Sequence, residues 1–198
     1  MPRPSRFTAQ SFTDAAIELV AAGGASAATL TAIAKKAGAP TGSIYHRFES
    51  RAAILASAWI AAHGEFSRYM RAALSEGSGL MAALMVSHWA RQNPARARFL
   101  LLHDPGSLIG GPPPEEMRLE IERQEHELEA AFTGYIRYEL GGADEIDPET
   151  RARAQFLVFD APIALVSPHL ANGNPVPAFI DAAIRELHAG VSVVGGQR

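Results

Sequence analysis

Apolar residues recur every three or four positions along most of this chain, the spacing that places them on one face of a helix. Within residues 29–55, one such stripe consists of Leu30, Ile33, Ala34 and Ala37. Gly38 follows where a helix ends and the chain turns sharply, which favours a residue without a Cβ atom. Pro40 has the fixed φ of a first helical turn, and Ile44 and Phe48 form the inward pair of the next short helix. The pattern predicts two helices joined by a tight turn.

The rest of the pattern predicts an all-α chain of about nine helices, separated by Gly- and Pro-rich breaks. We expect helix one at about Ser5 to Ala22, a long fourth helix at about Arg51 to Glu76, a fifth ending near Trp89 and a sixth ending near His103. We expect a seventh helix at about Glu115 to Leu140, an eighth that begins at Asp147-Pro148, and a ninth from Pro175 to Val194. Residues 104–114 are predicted to form a turn-rich loop, and Val191–Val194 is the only short strand candidate.

The eighth helix contains a proline that should disturb it. Pro162 lacks the backbone N–H of an interior helical residue, so we expect a kink or a restart there. Asp160 is expected to cap that restart, with contact to a bound ligand as the alternative.

Polar and small side chains occupy the outward positions of the second short helix. They are Thr41, Gly42, Ser43, Tyr45, His46 and Arg47. Small residues allow a close approach, and the hydroxyl, phenol, imidazole and guanidinium groups bond phosphates or base edges. The segment is therefore predicted to be a helix-turn-helix that enters DNA.

Residues 12–55 resemble the N-terminal domain of the TetR (tetracycline repressor) family of bacterial transcription regulators. The matching positions are Phe12-Thr13-Asp14-Ala15-Ala16, Leu19, Gly24, Thr29-Leu30, Ile33-Ala34, Ala37-Gly38, Gly42-Ser43-Ile44-Tyr45, Phe48, Ser50-Arg51 and Ile54-Leu55. Two positions depart from the family pattern, because a His usually stands directly before Phe48 and a Lys is commoner at Arg51. The resemblance implies a three-helix DNA-binding domain at residues 1–50 and a helical effector-binding and dimerisation domain at 51–198.

The matching positions, together with the outward face of the predicted helix, assign a set of DNA contacts. The expected contacts are Thr29, Thr31, Thr41, Gly42, Ser43, Tyr45, His46, Arg47 and Arg51. Arg51 should bond a phosphate at the start of the fourth helix, joined by the Thr29 and Thr31 hydroxyls near the N-terminus of the second helix.

Charge is distributed unevenly along the chain. The 198 residues carry a net charge of −3, but residues 1–55 carry +3 and residues 56–198 carry −6. A basic N-terminal part on an acidic remainder is the footprint expected of a DNA-binding protein with a second module. Chance asymmetry in a short segment is the alternative. The chain has no cysteine, which excludes disulfides, thiolate metal sites and cysteine nucleophiles.

The last two helices are expected to form a homodimer interface. Proteins similar to this one pair through a four-helix bundle built from these two helices, and the ninth helix is apolar enough to need a partner. Two copies spaced one DNA turn apart predict a palindromic operator on double-stranded DNA. The alternative is that both helices complete the core of a monomer.

Aromatic and histidine side chains in the body are candidates for a small-molecule effector site. They are Trp59, His63, Phe66, Trp89, Phe99, His103, Phe132, Tyr135 and Phe159. The family resemblance implies a cavity between the fourth and eighth helices, where a ligand displaces the fourth helix. Simple core packing is the alternative for each residue. The effector would be hydrophobic or amphipathic, because the candidate lining is mostly aromatic and uncharged.

Other function classes receive little support from the sequence. His63, His88 and His103 come from separate helices without metal-ligand spacing, so we expect no metal and no cofactor. No nucleophile elbow, Walker A or dinucleotide-binding motif is present, which disfavours an enzyme. An all-α enzyme and a ligand-independent DNA-binding or interaction protein remain the alternatives.

We expect a cytoplasmic bacterial protein. The N-terminus lacks the apolar segment of a secretory signal. The apolar run Phe156–Val166 is interrupted by Asp160 and Pro162 and is too short to span a bilayer.

Overall fold

The computed structural model describes residues 7–139, 141–142 and 145–191 of the chain. These residues form ten helices and no strand, which confirms the predicted all-α fold. The helices are α1 (Ala9–Gly23), α2 (Leu30–Lys36), α3 (Gly42–Tyr45), α4 (Arg51–Ser75), α5 (Gly79–Gln92), α6 (Pro94–Leu101), α7 (Pro105–Ile109), α8 (Glu115–Glu139), α9 (Pro148–Ala171) and α10 (Phe179–Gly190). We call α1–α3 the head and α4–α10 the body.

The first helix starts at Ala9, after the predicted Ser5, which lies outside the described residues. Thr8 and Ser11 form a capping box in which each side chain accepts a hydrogen bond from the other's backbone N–H. This pair satisfies two donors that a helix start leaves unpaired, and so fixes the start of α1. At the other end, Gly24 has a φ of 74°, a left-handed conformation that ends the helix.

The last helix starts at Phe179, so the start predicted at Pro175 is wrong. Pro177 lies two residues after Pro175, and the residue before a proline avoids the helical backbone conformation. The Pro177 carbonyl accepts the Ile180 N–H at 3.2 Å just before the helix, and it also accepts a hydrogen bond from the Arg91 guanidinium at 3.4 Å. Residues 192–194, which would complete the predicted helix and the candidate strand, lie outside the described residues.

A short helix, α7, occupies part of the segment predicted to be a loop, residues 104–114. Asp104 caps it by accepting the Ser107 N–H at 2.8 Å, and Pro105 stands in its first turn. Gly110 ends it with a φ of 68°. These are the ordinary start and stop signals of a helix, compressed into a single turn.

Because α7 adds a helix, the predicted seventh, eighth and ninth helices are α8, α9 and α10. Helix α9 continues through Pro162 without the predicted restart. A π-helical turn, Phe156–Asp160, lies just before the proline and contains Val158, whose carbonyl the proline ring would otherwise crowd. Asp160 makes no capping hydrogen bond; it is exposed and accepts one from Gln155 at 3.1 Å.

Because α9 is one continuous helix, it is longer than the interrupted apolar run Phe156–Val166, which by itself is too short to span a bilayer. The helix has 24 residues, and its most apolar window has a mean hydropathy of 1.3, which is enough by length and composition alone to cross a membrane. The core helix of a soluble protein passes the same test, so this is weak evidence for a membrane span.

Helix α4 organises the packing of the whole chain. The contact between α4 and α8 is the most extensive between any two of the described helices, and α4 also contacts α1, α5, α6 and α7. Because α4 begins at Arg51, directly after the head, any displacement of this helix within the body also moves the head.

Candidate nucleic-acid interface

Helices α2 and α3 form the predicted helix-turn-helix. The turn between them contains Gly38, whose φ of 68° requires the freedom of glycine. Ile44 is fully buried, and Phe48 packs edge-on against Phe12 with ring centroids 6.5 Å apart. Ile44 thus holds α3 in the core of the head, and Phe48 fixes the chain just after α3 to α1, while the opposite side of α3 faces solvent.

The exposed side of α3 carries hydrogen-bonding groups. Thr41, Gly42 and His46 are exposed, and Tyr45 keeps 62% of its surface accessible. A tyrosine this exposed gains little from packing, so its phenol is free to contact a partner. The arrangement can present a hydroxyl and an imidazole to the phosphates or base edges of a duplex.

The other predicted DNA contacts lie in less open positions. Ser43 and Arg47 are half-buried, and the Arg47 guanidinium donates to the Ser43 carbonyl at 3.5 Å. Thr29 and Thr31 are exposed at the start of α2, where the Thr29 hydroxyl caps the helix by accepting the Ala32 N–H at 3.1 Å.

Arg51, predicted to contact a phosphate, makes hydrogen bonds within the protein. Its guanidinium donates to the carbonyls of Ala28 at 2.9 Å and Ala25 at 2.5 Å in the head, and to that of Ile109 in α7 at 3.4 Å. The side chain therefore ties the start of α4 to both the head and the body.

A second arginine joins the head to the body and has no signal in the sequence. Arg96 of α6 bonds Asp14 of α1 at 3.2 Å and Glu65 of α4 at 2.9 Å. The Arg96 side chain is 27% exposed, so these ion pairs are more shielded from solvent than most of the surface pairs in the described residues.

The nine predicted effector residues lie in the body and are mostly buried. Trp59, His63, Phe66, Trp89, Phe99, Phe132 and Tyr135 are buried, whereas His103 and Phe159 are half-buried. The structure brings them together in two groups, one in the α4–α5–α6 core and one at the α8–α9 contact. In the first, the Phe66 and Trp89 rings are 5.1 Å apart; in the second, the Phe132 and Phe159 rings are 5.3 Å apart.

Three of these residues surround a cavity. His63, Phe132 and Phe159 line a space of about 220 Å³ between α4, α8 and α9. Pockets that hold drug-sized ligands have volumes of about 300–1,000 Å³. An effector of that size would therefore require α4 or α8 to move.

Buried polar groups lie beside this cavity, between α4 and α8. The His63 Nδ1 atom is 3.1 Å from the Gln124 amide oxygen, and the Ser67 hydroxyl lies 3.3 Å from His63 Nε2. All three side chains are buried. Buried polar groups that satisfy one another specify the register of a packed helix pair, here α4 on α8.

Two indole nitrogens in the aromatic core lack partners. Nε1 of Trp59 and Nε1 of Trp89 are buried with no hydrogen-bond acceptor among the described residues. Leaving a buried donor unpaired costs about 1–3 kcal/mol, so such groups are uncommon in a core and mark candidate ligand contacts.

Two more of the predicted effector residues, His103 and Tyr135, have structural partners. His103 Nδ1 lies 3.1 Å from the Phe99 carbonyl at the end of α6. Tyr135 lies against Gly79, where an added Cβ atom would be 2.2 Å from the phenol oxygen. Burial, together with the nearby Glu139, raises the pKa of the Tyr135 phenol to about 12.

Nothing in the described ranges groups three or more His, Asp or Glu side chains in the way a metal site needs. Sequence reasoning also missed a cavity of about 660 Å³, three times the volume of the one at His63, which none of the nine predicted effector residues lines. Its residues come from four separate chain segments and carry no local motif.

Residues 12–58 match the family model of bacterial regulatory proteins, tetR family. Solved structures share the fold of the whole chain. FadR from Bacillus subtilis, solved in complex with stearoyl-CoA, is 21% identical over 93% of this chain and 100% of its own, with a TM-score of 0.63. FadR from Bacillus halodurans is 21% identical over 96% of each chain, with a TM-score of 0.65.

A putative tetR family transcription regulator from Shewanella sp. PV-4 is 19% identical over 92% of this chain and 96% of its own, with a TM-score of 0.64. The comparison with curated proteins gave no match.

Proposed function

We propose that this protein, a DNA-binding transcriptional regulator of the TetR family by its N-terminal domain and its fold, is a repressor that leaves its operator when a small hydrophobic effector binds. In this account residues 1–50 bind DNA, and residues 51–198 bind the effector and dimerise. Repression follows if the bound protein blocks access of polymerase to the promoter.

The exposed side of α3 is the observation that carries the DNA-binding part of the proposal. Ile44 and Phe48 hold the helix from behind, and Tyr45 and His46 extend from its open side. The first residue of α3, Gly42, is exposed and has no side chain, so the backbone can approach a duplex closely there.

Two features of the body support an effector. The unpaired indole nitrogens of Trp59 and Trp89 would gain a hydrogen bond from an acceptor on a ligand. The cavity beside His63 must expand to admit a ligand of ordinary size, and its wall includes α4. A ligand that fits only after α4 moves binds one conformation better than the other, which is the requirement for a switch.

The class of effector is proposed from the lining and from one relative. The apolar part of the cavity lining, Leu128, Phe132 and Phe159, favours a hydrophobic or amphipathic molecule, and Glu125 and Glu129 line the same cavity. FadR from B. subtilis has the same fold and was solved with stearoyl-CoA, so the fold can accept an acyl-CoA. We propose an acyl-CoA or a similar amphipathic molecule as the first class to test.

Dimerisation is proposed through α9 and α10. Phe156, Ala164 and Pro168 of α9 are exposed, as is Phe179 of α10. Exposed apolar side chains grouped on two neighbouring helices are typical of an interaction site. Pairing through it would give two copies of α3 related by two-fold symmetry.

We propose no enzymatic activity and a cytoplasmic location, since the proposed partner is genomic DNA. The test is footprinting of the purified protein on the DNA that flanks its own gene, followed by titration with stearoyl-CoA. We expect one protected site that stearoyl-CoA or another screened amphipathic molecule releases. A protected site that no such compound releases would favour the ligand-independent alternative, and the absence of any protected site would argue against local repression.

A further inference from the structure

A cavity of about 660 Å³ lies between the head and the body, within the part of the chain that the structure describes. This junction cleft is walled by α1, the end of α2, the α5–α6 junction and the loop from α9 to α10. Its volume falls within the range of about 300–1,000 Å³ that is usual for small-molecule sites. It is separate from the cavity at His63, because the two share no lining residue.

Three basic side chains line the junction cleft, and two of them are paired. Lys36 forms an ion pair with Glu18 at 2.6 Å on the rim. Arg91 bonds Asp181 at 2.5 Å and donates to carbonyls of the α9–α10 loop. Arg98 differs from both. Its Nε atom is buried without a hydrogen-bond acceptor, and its side chain forms no ion pair with any residue that the structure describes.

The Arg98 guanidinium lies against the turn at Gly173. Arg98 is half-buried on α6, and a Cβ atom added to Gly173 would lie 3.2 Å from its Nη1 atom. Gly173 has a φ of 71°, a conformation that favours glycine. The guanidinium is held against the cleft with donors that remain unused.

The walls around these charges are largely apolar. They include Ala21, Ala22, Pro94, Ala95, Leu170 and Val176. An occupant that matches this surface needs an apolar body, and one that satisfies Arg98 needs oxygen atoms of negative charge. Guanidinium pairs with carboxylate and phosphate groups in the same two-pronged geometry.

We propose that the junction cleft binds a small amphipathic anion, whose carboxylate or phosphate group pairs with Arg98 and whose apolar part lies on the alanine, proline and leucine wall. Nothing in the comparisons assigns a ligand to this place. The site is distinct from the effector cavity of the α4–α8–α9 contact.

An occupant of the cleft would touch the head and the body together. Residues of α1 and α2 lie on one side of it, and α6 and the α9–α10 loop lie on the other. Such a ligand favours the head position that gives the cleft this width, so it should alter the affinity for DNA. This regulatory consequence rests on the proposed function, whereas binding to the cleft does not. Coupling is reciprocal, so DNA must alter the affinity for the anion by the same factor.

The test is calorimetric titration of the full chain, without DNA, using octanoate, octyl phosphate and octanol as probes. We expect octanoate or octyl phosphate to bind at least about tenfold more tightly than octanol, because only the anions can pair with Arg98. The Arg98→Gln variant should lose at least about tenfold in affinity for the anion. Arg68→Gln, which removes an exposed arginine on α4, is the matched control and should leave the affinity unchanged.

A second variant fills the cleft without changing its charge. Ala22 is exposed on the cleft wall, so Ala22→Phe should abolish anion binding while leaving the melting temperature close to that of the wild type. The proposal is overturned if no anionic probe binds, or if Arg98→Gln and Ala22→Phe both bind as well as the wild type. Repeating the titration with operator DNA separates the two claims. An unchanged affinity there removes the regulatory role but keeps the site.

Discussion

Individual side chains at α3 divide cleanly into those that support the helix and those that face outward. Ile44 and Phe48 are buried, while Tyr45 and His46 are exposed, as the helical spacing predicts. Spacing determines the angle of a side chain around a helix axis, which is why this division could be predicted from sequence.

The first prediction concerns Tyr45. Replacing Tyr45 by Ala should weaken operator binding by about tenfold or more, because one base-edge or phosphate contact is worth about 1–3 kcal/mol. Fluorescence anisotropy on the footprinted DNA measures the effect. Tyr45→Phe is the control that separates the hydroxyl from the ring. Unchanged affinity for Tyr45→Ala would remove this residue from the interface.

The role of Arg51 could not be predicted in the same way. A helix position does not say where a long, flexible side chain turns, and here the guanidinium reaches three backbone carbonyls. The structure therefore favours a role in positioning the head over the phosphate contact that the family resemblance implies.

The second prediction follows from those three contacts. Arg51→Lys should lower the free energy of unfolding by about 1–3 kcal/mol, because the ammonium group cannot reach all three carbonyls. Chemical denaturation measures this loss. The salt dependence of DNA binding should keep its slope, since no phosphate contact is lost. A slope smaller by about 0.9 would instead assign Arg51 to a phosphate.

At the scale of helices, most elements were predictable and their exact ends were not. The apolar stripe of α2 and the break at Gly38 are local signals. In contrast, the π-helical turn of α9 depends on how the helix packs around Pro162, and α7 is too short to show a helical period. The junction cleft escapes sequence reasoning for a related reason, since four distant segments form it.

The third prediction concerns the attachment of α10 to α5. Burial raises the pKa of the Asp181 carboxyl, but hydrogen bonds from Arg91 and Ser87 outweigh it and hold the pKa below its ordinary value. A carboxyl of this kind stabilises the fold above the pKa it has when unfolded, about 3.9, and loses that contribution as the pH falls through its folded value.

Asp181→Asn should therefore cost about 1 kcal/mol at pH 7, a modest value because the carboxylate is partly exposed to solvent. The difference between wild type and variant should shrink below about pH 4. Urea denaturation at pH 7 and pH 3.5 measures it. A difference of the same size at both pH values would show that the charge of Asp181 makes no contribution.

For the whole molecule, the apolar surface of α9 and α10 is the feature with the largest consequence. α9 is only 39% buried over its most apolar window, although its composition resembles that of a core helix. A second copy of the chain would cover this surface and place two α3 helices on one face of a duplex.

The fourth prediction tests that pairing. Phe179 is 63% exposed on α10, and Phe179→Asp should shift the protein from dimer to monomer in analytical ultracentrifugation, because a charge is costly inside an apolar interface. Leu119→Asp is the matched control, since Leu119 is 51% exposed on α8, away from the proposed interface. Equal sedimentation of the two variants as dimers would contradict an interface at α10.

We propose that two copies of α3 enter the major groove of one palindromic site. The decisive experiment is selection of bound sequences from a pool of random DNA duplexes by the wild-type protein. We expect enrichment of an inverted repeat whose half-sites are centred about 10 base pairs, or a multiple of that, apart. Enrichment of no motif, or of a single unpaired half-site, would contradict it.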